Sequence, residues 1–122
     1  MNINRERLDL DMLNQHFAGD EDFKVFYLNL AVSQLEQAFD EITIRILDNN
    51  YTGIESFLHK LKGSSASVGL IKLSQFIILA EKQFNTKPGS ALALFKVEEE
   101  LKLGLKELKT ILNSSTNENF NR

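Results

Sequence analysis

The chain has 122 residues, 43% hydrophobic and 25% charged, with a net charge of −3 and no cysteine. That suits one globular domain with a modest core, excludes disulfides, zinc–thiolate sites and cysteine nucleophiles, and argues against non-specific nucleic-acid binding, which needs a basic footprint. No stretch reaches the ~18 apolar residues of a membrane span, and the polar start from Met1 to Arg7 lacks the apolar segment of a signal peptide. A cytoplasmic protein without a membrane segment is therefore expected.

Helical periodicity runs through nearly the whole chain, and strand-like alternation is absent. A short first helix is expected over about Leu10 to Ala18, capped by Asp9 or Asp11 and closed by Gly19, with Leu10, Leu13 and Phe17 on one face. Asp20 suits the N-cap of a second helix, and Glu21 and Asp22 favour the positive end of its dipole. That helix extends to about Leu47. Phe23, Tyr27, Leu30, Ala31, Ala38 and Ile42 lie near one side, and Leu28, Val32, Leu35, Phe39 and Ile46 widen the apolar arc, which implies more than one neighbour.

Asp48-Asn49-Asn50 reads as a turn. Either Asn50 or a capping box from Thr52 to Glu55 opens a third helix that ends near Gly69. Its stripe is Ile54, Leu58, Leu61, Ser65 and Val68. The fourth helix, about Lys72 to Phe84, has Leu73, Phe76, Ile77, Ala80 and Phe84 as its stripe, and the run from Asn85 to Ser90, with Pro88, breaks it. The fifth, about Ala91 to Leu112, carries Leu94, Val97, Leu101, Leu105, Leu108 and Leu112. Glu98, Glu99, Glu100, Lys102, Lys106, Glu107 and Lys109 are assigned to its outer face. Residues 113–122 are expected as a frayed polar tail. Four long helices with short loops predict an all-α, antiparallel up-down-up-down four-helix bundle with a short additional N-terminal helix over one end. The domain is 1–122, its core about 10–112.

His59 falls off the stripe of the third helix. At ~100° per residue it projects outward, with Glu55, Lys62, Gly63 and Ala66 on the same face. An interior helical glycine costs about 1 kcal/mol relative to alanine. At position 63 it sits one turn beyond the imidazole, where a larger side chain would crowd the ring. Lys62 is also within a turn, so its ammonium can approach an anion on the imidazole. A neutral imidazole is available near physiological pH and forms covalent intermediates, which makes His59 a plausible phosphoryl acceptor. A bystander surface histidine is the bland reading, and its neighbours count against it. His16, at the end of the first helix, is better read as a terminus histidine favourable to the dipole.

The run His59-Lys-Leu-Lys-Gly-Ser-Ser-Ala-Ser-Val-Gly-Leu70 resembles the signature of the histidine-containing phosphotransfer (HPt) domain, a His-x-Leu-Lys-Gly run followed by small residues and a later glycine. Gly69 falls where that family ends the helix. Leu73 and Ala80-Glu81 match in spacing, and Phe17-Ala-Gly-Asp20 before a long apolar helix resembles its first two helices. The resemblance covers about Leu10 to Leu112. It implies that His59 is phosphorylated, that Lys62 neutralises the phosphoryl charge, and that Gly63 keeps the space over the ring open. Glu81 stands where the family places a polar side chain near the imidazole, and could orient the ring by accepting the proton of its other nitrogen. A solvated helix-face acid is the alternative for Glu81. Lys60, Lys72 and Lys82 could add positive potential.

The resemblance also implies partners: response-regulator receiver domains and a sensor or hybrid histidine kinase, met by a monomer. Docking is expected near the first three helices, with Met12, Leu13, Phe17, Val32, Lys60 and Ala66 as candidates; Met12, Leu13, Phe17 and Val32 match no fixed motif, and core or rim is the preferred reading for each. No Gly-rich nucleotide loop is present, and no acidic cluster beside His59 would hold Mg²⁺, so no cofactor is expected and the receiver would bring the metal. The expected function is a phosphorelay intermediate, a phosphoryl carrier rather than an enzyme. A non-phosphorylated helical adaptor binding signalling proteins is the alternative, and His59, Lys62 and Gly63 argue against it. A carboxylate-bridged metal bundle would need Glu-x-x-His pairs, which are missing. A Ser-His-Asp hydrolase would need a strand–turn–helix elbow.

Overall fold

Five helices account for nearly all of the chain in the computed structural model, which describes residues 3–87 and 91–120, with side chains up to 114. They are α1 (Leu10–His16), α2 (Glu21–Asp48), α3 (Ile54–Ser67), α4 (Ile71–Thr86) and α5 (Leu92–Phe120). The four long helices form the up-and-down bundle. Around it α2 packs on α5, α5 on α4, and α4 on α3, with a lighter α2–α3 contact closing the ring. The core follows the expected stripes. Leu58, Leu73, Ile77, Ala80, Leu94, Val97, Leu101 and Leu108 are fully buried, and Ile42 and Leu35 join them from α2.

Local chemistry sets the helix ends. The Asp9 carboxylate accepts from the Met12 N–H at 2.9 Å, which settles the first cap in its favour. Asp20 does the same for Phe23 at 2.9 Å. Asn49 ends α2 in the left-handed conformation that asparagine tolerates. Neither expected cap opens α3. Gly53 holds the N-cap position with no side-chain bond, and the Asn50 side chain instead accepts from the Thr52 N–H within the turn. The Ile54 N–H instead donates to the Tyr51 carbonyl at 3.1 Å, and the buried Ile54 side chain anchors the helix start. At the far end, Gly69 has φ +74°, and a Cβ there would come within 3.1 Å of the Asp9 carbonyl, so both conformation and space require glycine.

α5 is longer than expected, continuing past Leu112 to Phe120. No proline or glycine lies between 113 and 120 to stop it. The expected break around Pro88 lies outside the described residues.

The polar segment before α1 has a larger part than its composition suggests. Leu8 is fully buried and pairs with Leu70 in an isolated antiparallel bridge, and the Asp9 N–H donates to the Gly69 carbonyl at 2.8 Å. The Arg7 guanidinium donates through Nε and Nη2 to both Glu100 oxygens at 2.9 and 3.1 Å, and approaches Glu107 at 3.8 Å. The Glu100 hydrogen bond holds Arg7 above arginine's already high value, against the opposing cost of burial. Glu100 and Glu107, expected on the outer face of α5, are thus covered by this segment. Leu13 of α1 and Phe17 just after it are buried as well.

Candidate functional site

The face of α3 opposite its stripe carries the site. Ile54, Leu58, Leu61, Ser65 and Val68 are all buried, so helix geometry turns His59, Lys60, Gly63 and Ala66 outward, and each is exposed. Ser65 is tolerated in the core because its hydroxyl donates to the Leu61 carbonyl at 2.7 Å. Among the described residues His59 makes no hydrogen bond or ion pair, so both ring nitrogens are free for solvent or a partner.

Gly63 is not explained by packing. A Cβ there would meet nothing within 4 Å, and its backbone is ordinary helix. The fold would accept alanine, and helix propensity would favour it. The glycine keeps an open surface one turn beyond the imidazole.

Lys62 and Glu81 meet across the α3–α4 interface. The Lys62 ammonium lies 3.0 Å from Glu81 Oε1, with side chains 34% and 26% exposed. The contact is one of charge: Oε1 is buried without hydrogen-bond geometry to any group. Glu81 therefore engages the lysine of the expected site and not the imidazole. No hydrogen bond joins Glu81 to His59 in this structure. Among the described residues no three His, Cys, Asp or Glu side chains gather as a metal site.

These features meet an independent match. The model of the Hpt domain family matches residues 27–111, well over half of the chain and all of α3 and α4. The chain belongs to the Hpt domain family. A segment of 55 residues is also 38% identical to Phosphorelay intermediate protein YPD1 of Candida albicans, covering 45% of this chain and 30% of that protein. The match thus spans less than a third of that relative's length.

In this Hpt domain the expected docking residues divide. Lys60 and Ala66 are exposed, and Met12 is half-buried against the turn at Gly69. Leu13, Phe17 and Val32 are buried and belong to the core, so they offer no docking surface. Phe17 is enclosed by aromatic neighbours, its ring 5.3 Å from Tyr27 and 5.7 Å from Phe23. The apolar groups that reach solvent nearby are Phe23, Phe26 and Leu30, at 49, 65 and 49% exposure. Phe26, Leu30, Gln34, Gln37 and Glu41 follow one another at helical spacing. The last three line a groove of about 480 Å³ against Phe57, Lys60 and Ser64 of α3. The exposed apolar pair thus continues the α2 stripe that borders the α3 groove. The width of the α2 arc signalled Phe23 and Leu30 but did not include Phe26; which of its residues stay exposed depended on how α2 packs on α5 and α3.

No helix among the described residues is long and apolar enough to cross a membrane.

Proposed function

We propose that the protein is a phosphorelay intermediate. His59 takes a phosphoryl group from the aspartyl phosphate of one receiver domain and passes it to the aspartate of another. The observation that carries the reading is an exposed, unpartnered imidazole on α3 with an open surface at Gly63 and an ammonium within a turn at Lys62. The Hpt family match and the name of the Candida albicans relative support it.

The lone pair of the unprotonated ring nitrogen attacks phosphorus. The N–P bond forms as the acyl O–P bond breaks, and the aspartate leaves as a carboxylate. The ring's proton stays on its other nitrogen until solvent takes it. The Lys62 ammonium offsets charge on the phosphoryl oxygens. In-line approach needs the space over the ring that Gly63 leaves. The receiver contributes its own divalent metal and most of the charge stabilisation, so this chain acts as a carrier and not as an enzyme. A sensor or hybrid histidine kinase stands upstream of the donor receiver. We place the protein in the cytoplasm as a monomer. Phe26 and Leu30 beside the α2–α3 groove, with Met12, Lys60 and Ala66, form the receiver-docking surface. That surface is small, as suits a transient encounter.

Incubation with a phosphorylated receiver should place acid-labile phosphate on His59. Labelling that persists undiminished in His59→Gln would overturn the assignment.

A further inference from the structure

We infer that Glu81 is a positioning residue that acts on the phosphoryl group through Lys62, as an electrostatic latch. This rests on the reading of His59 as the phosphorylated residue and concerns how long the group stays there. Glu81 reaches across from α4 and its Oε1 stands 3.0 Å from the Lys62 ammonium. That oxygen is buried and has no hydrogen-bond donor in place, so among the described residues the ammonium is its charge compensation. Lys62 in turn stands three residues beyond His59 on α3, within one helical turn of it.

One ammonium thus serves two anions in turn. In the unphosphorylated protein it is held by Glu81. Once His59 carries a phosphoryl group, the ammonium is shared between the carboxylate and the phosphoryl oxygens. Any shift toward phosphate strips Glu81 of its partner in a partly buried setting, where an uncompensated charge is costly. The carboxylate therefore weakens the grip of Lys62 on the phosphoryl group. The phosphohistidine is kept less stable than an unopposed lysine would make it, and the group leaves more readily. An amide in place of the carboxylate keeps the shape and removes the competition.

The test uses phosphoramidate, a small-molecule donor whose P–N bond breaks to release ammonia as the bond to His59 forms, so no receiver is needed. Loss of the group is then followed by ³¹P NMR: water attacks phosphorus, the N–P bond breaks, the ring nitrogen keeps the electron pair and phosphate leaves. In Glu81→Gln the phosphohistidine half-life should lengthen about threefold to tenfold, and Lys62→Met should shorten it. In the Lys62→Met background, adding Glu81→Gln should change nothing, because the carboxylate then has no lysine to hold. An unchanged half-life in Glu81→Gln overturns the latch. So does a Glu81→Gln effect of equal size with and without Lys62, which would mean that the carboxylate acts on the phosphoryl group directly. A His59 that phosphoramidate does not label overturns it too. If phosphoramidate labels His59 and no receiver does, the relay reading fails while the half-lives still decide the latch.

Discussion

Under the proposed function, Gly63 is where folding and phosphotransfer make opposite demands on one residue. Nothing within 4 Å would obstruct a Cβ there, and the residue is exposed in mid-helix. Gly63→Ala should therefore stabilise the domain by about 1 kcal/mol, raising Tm by about 4 °C, as thermal unfolding followed by circular dichroism would show. Gly63→Leu should also fold but fail to receive phosphate from a receiver, since its side chain would occupy the approach to the ring. Normal transfer by a folded Gly63→Leu protein would remove the access argument. At Lys62 the demand is electrostatic: Lys62→Ala should slow transfer or shorten the phosphohistidine lifetime by about tenfold, equivalent to about 1.4 kcal/mol, with the helical spectrum unchanged. Equal kinetics would reduce Lys62 to half of a surface ion pair.

Side-chain caps set the starts of α1 and α2. Asp20 holds the first turn of α2 through the Phe23 N–H, and α2 carries both the exposed Phe26–Leu30 stripe and one wall of the α3 groove. Asp20→Ala should cost about 1 kcal/mol, seen as a lower urea midpoint with an unchanged slope. α3 differs, because its start has no side-chain cap and its end is held by Gly69 and the Asp9 N–H. Its position depends on packing and on the preceding segment more than on its own termini. That dependence leaves the outward face free of structural polar groups, which is the face that carries His59.

For the molecule as a whole, the segment before α1 acts as a clamp. Arg7 and Glu100 have side chains 14% and 6% exposed, and their two hydrogen bonds join the start of the chain to α5. Removing one partner leaves the other charged and buried. Arg7→Ala should therefore destabilise by about 3 kcal/mol. Arg7→Met with Glu100→Met should recover much of that loss, since an apolar pair has no desolvation to offset. Chemical denaturation of the two variants decides between a pair that stabilises and one that only avoids a penalty. Both lie outside the surface that carries His59, so phosphate acceptance by the folded protein should persist in each.

Amphipathic spacing alone determined the bundle, the buried stripe of α3 and the outward placing of His59, because burial of a helix face follows from which residues share it. The His-x-Leu-Lys-Gly run likewise singled out His59, Lys62 and Gly63 as candidates without any tertiary information, since all three lie within two turns of one helix. Relations between distant segments were decided only in three dimensions. Period placed Glu100 and Glu107 on an outer face, yet the chain's own start covers them. Leu13, Phe17 and Val32 were open between a docking patch and the core, and packing buries all three while leaving Phe23, Phe26 and Leu30 in solvent. Position left Glu81 open between the imidazole and a solvated helix face, and the folded chain sets it against Lys62, nineteen residues away on a neighbouring helix. Local periodicity says which side of a helix is buried; which charge meets which depends on how the helices are rotated and offset against one another, and only packing sets that.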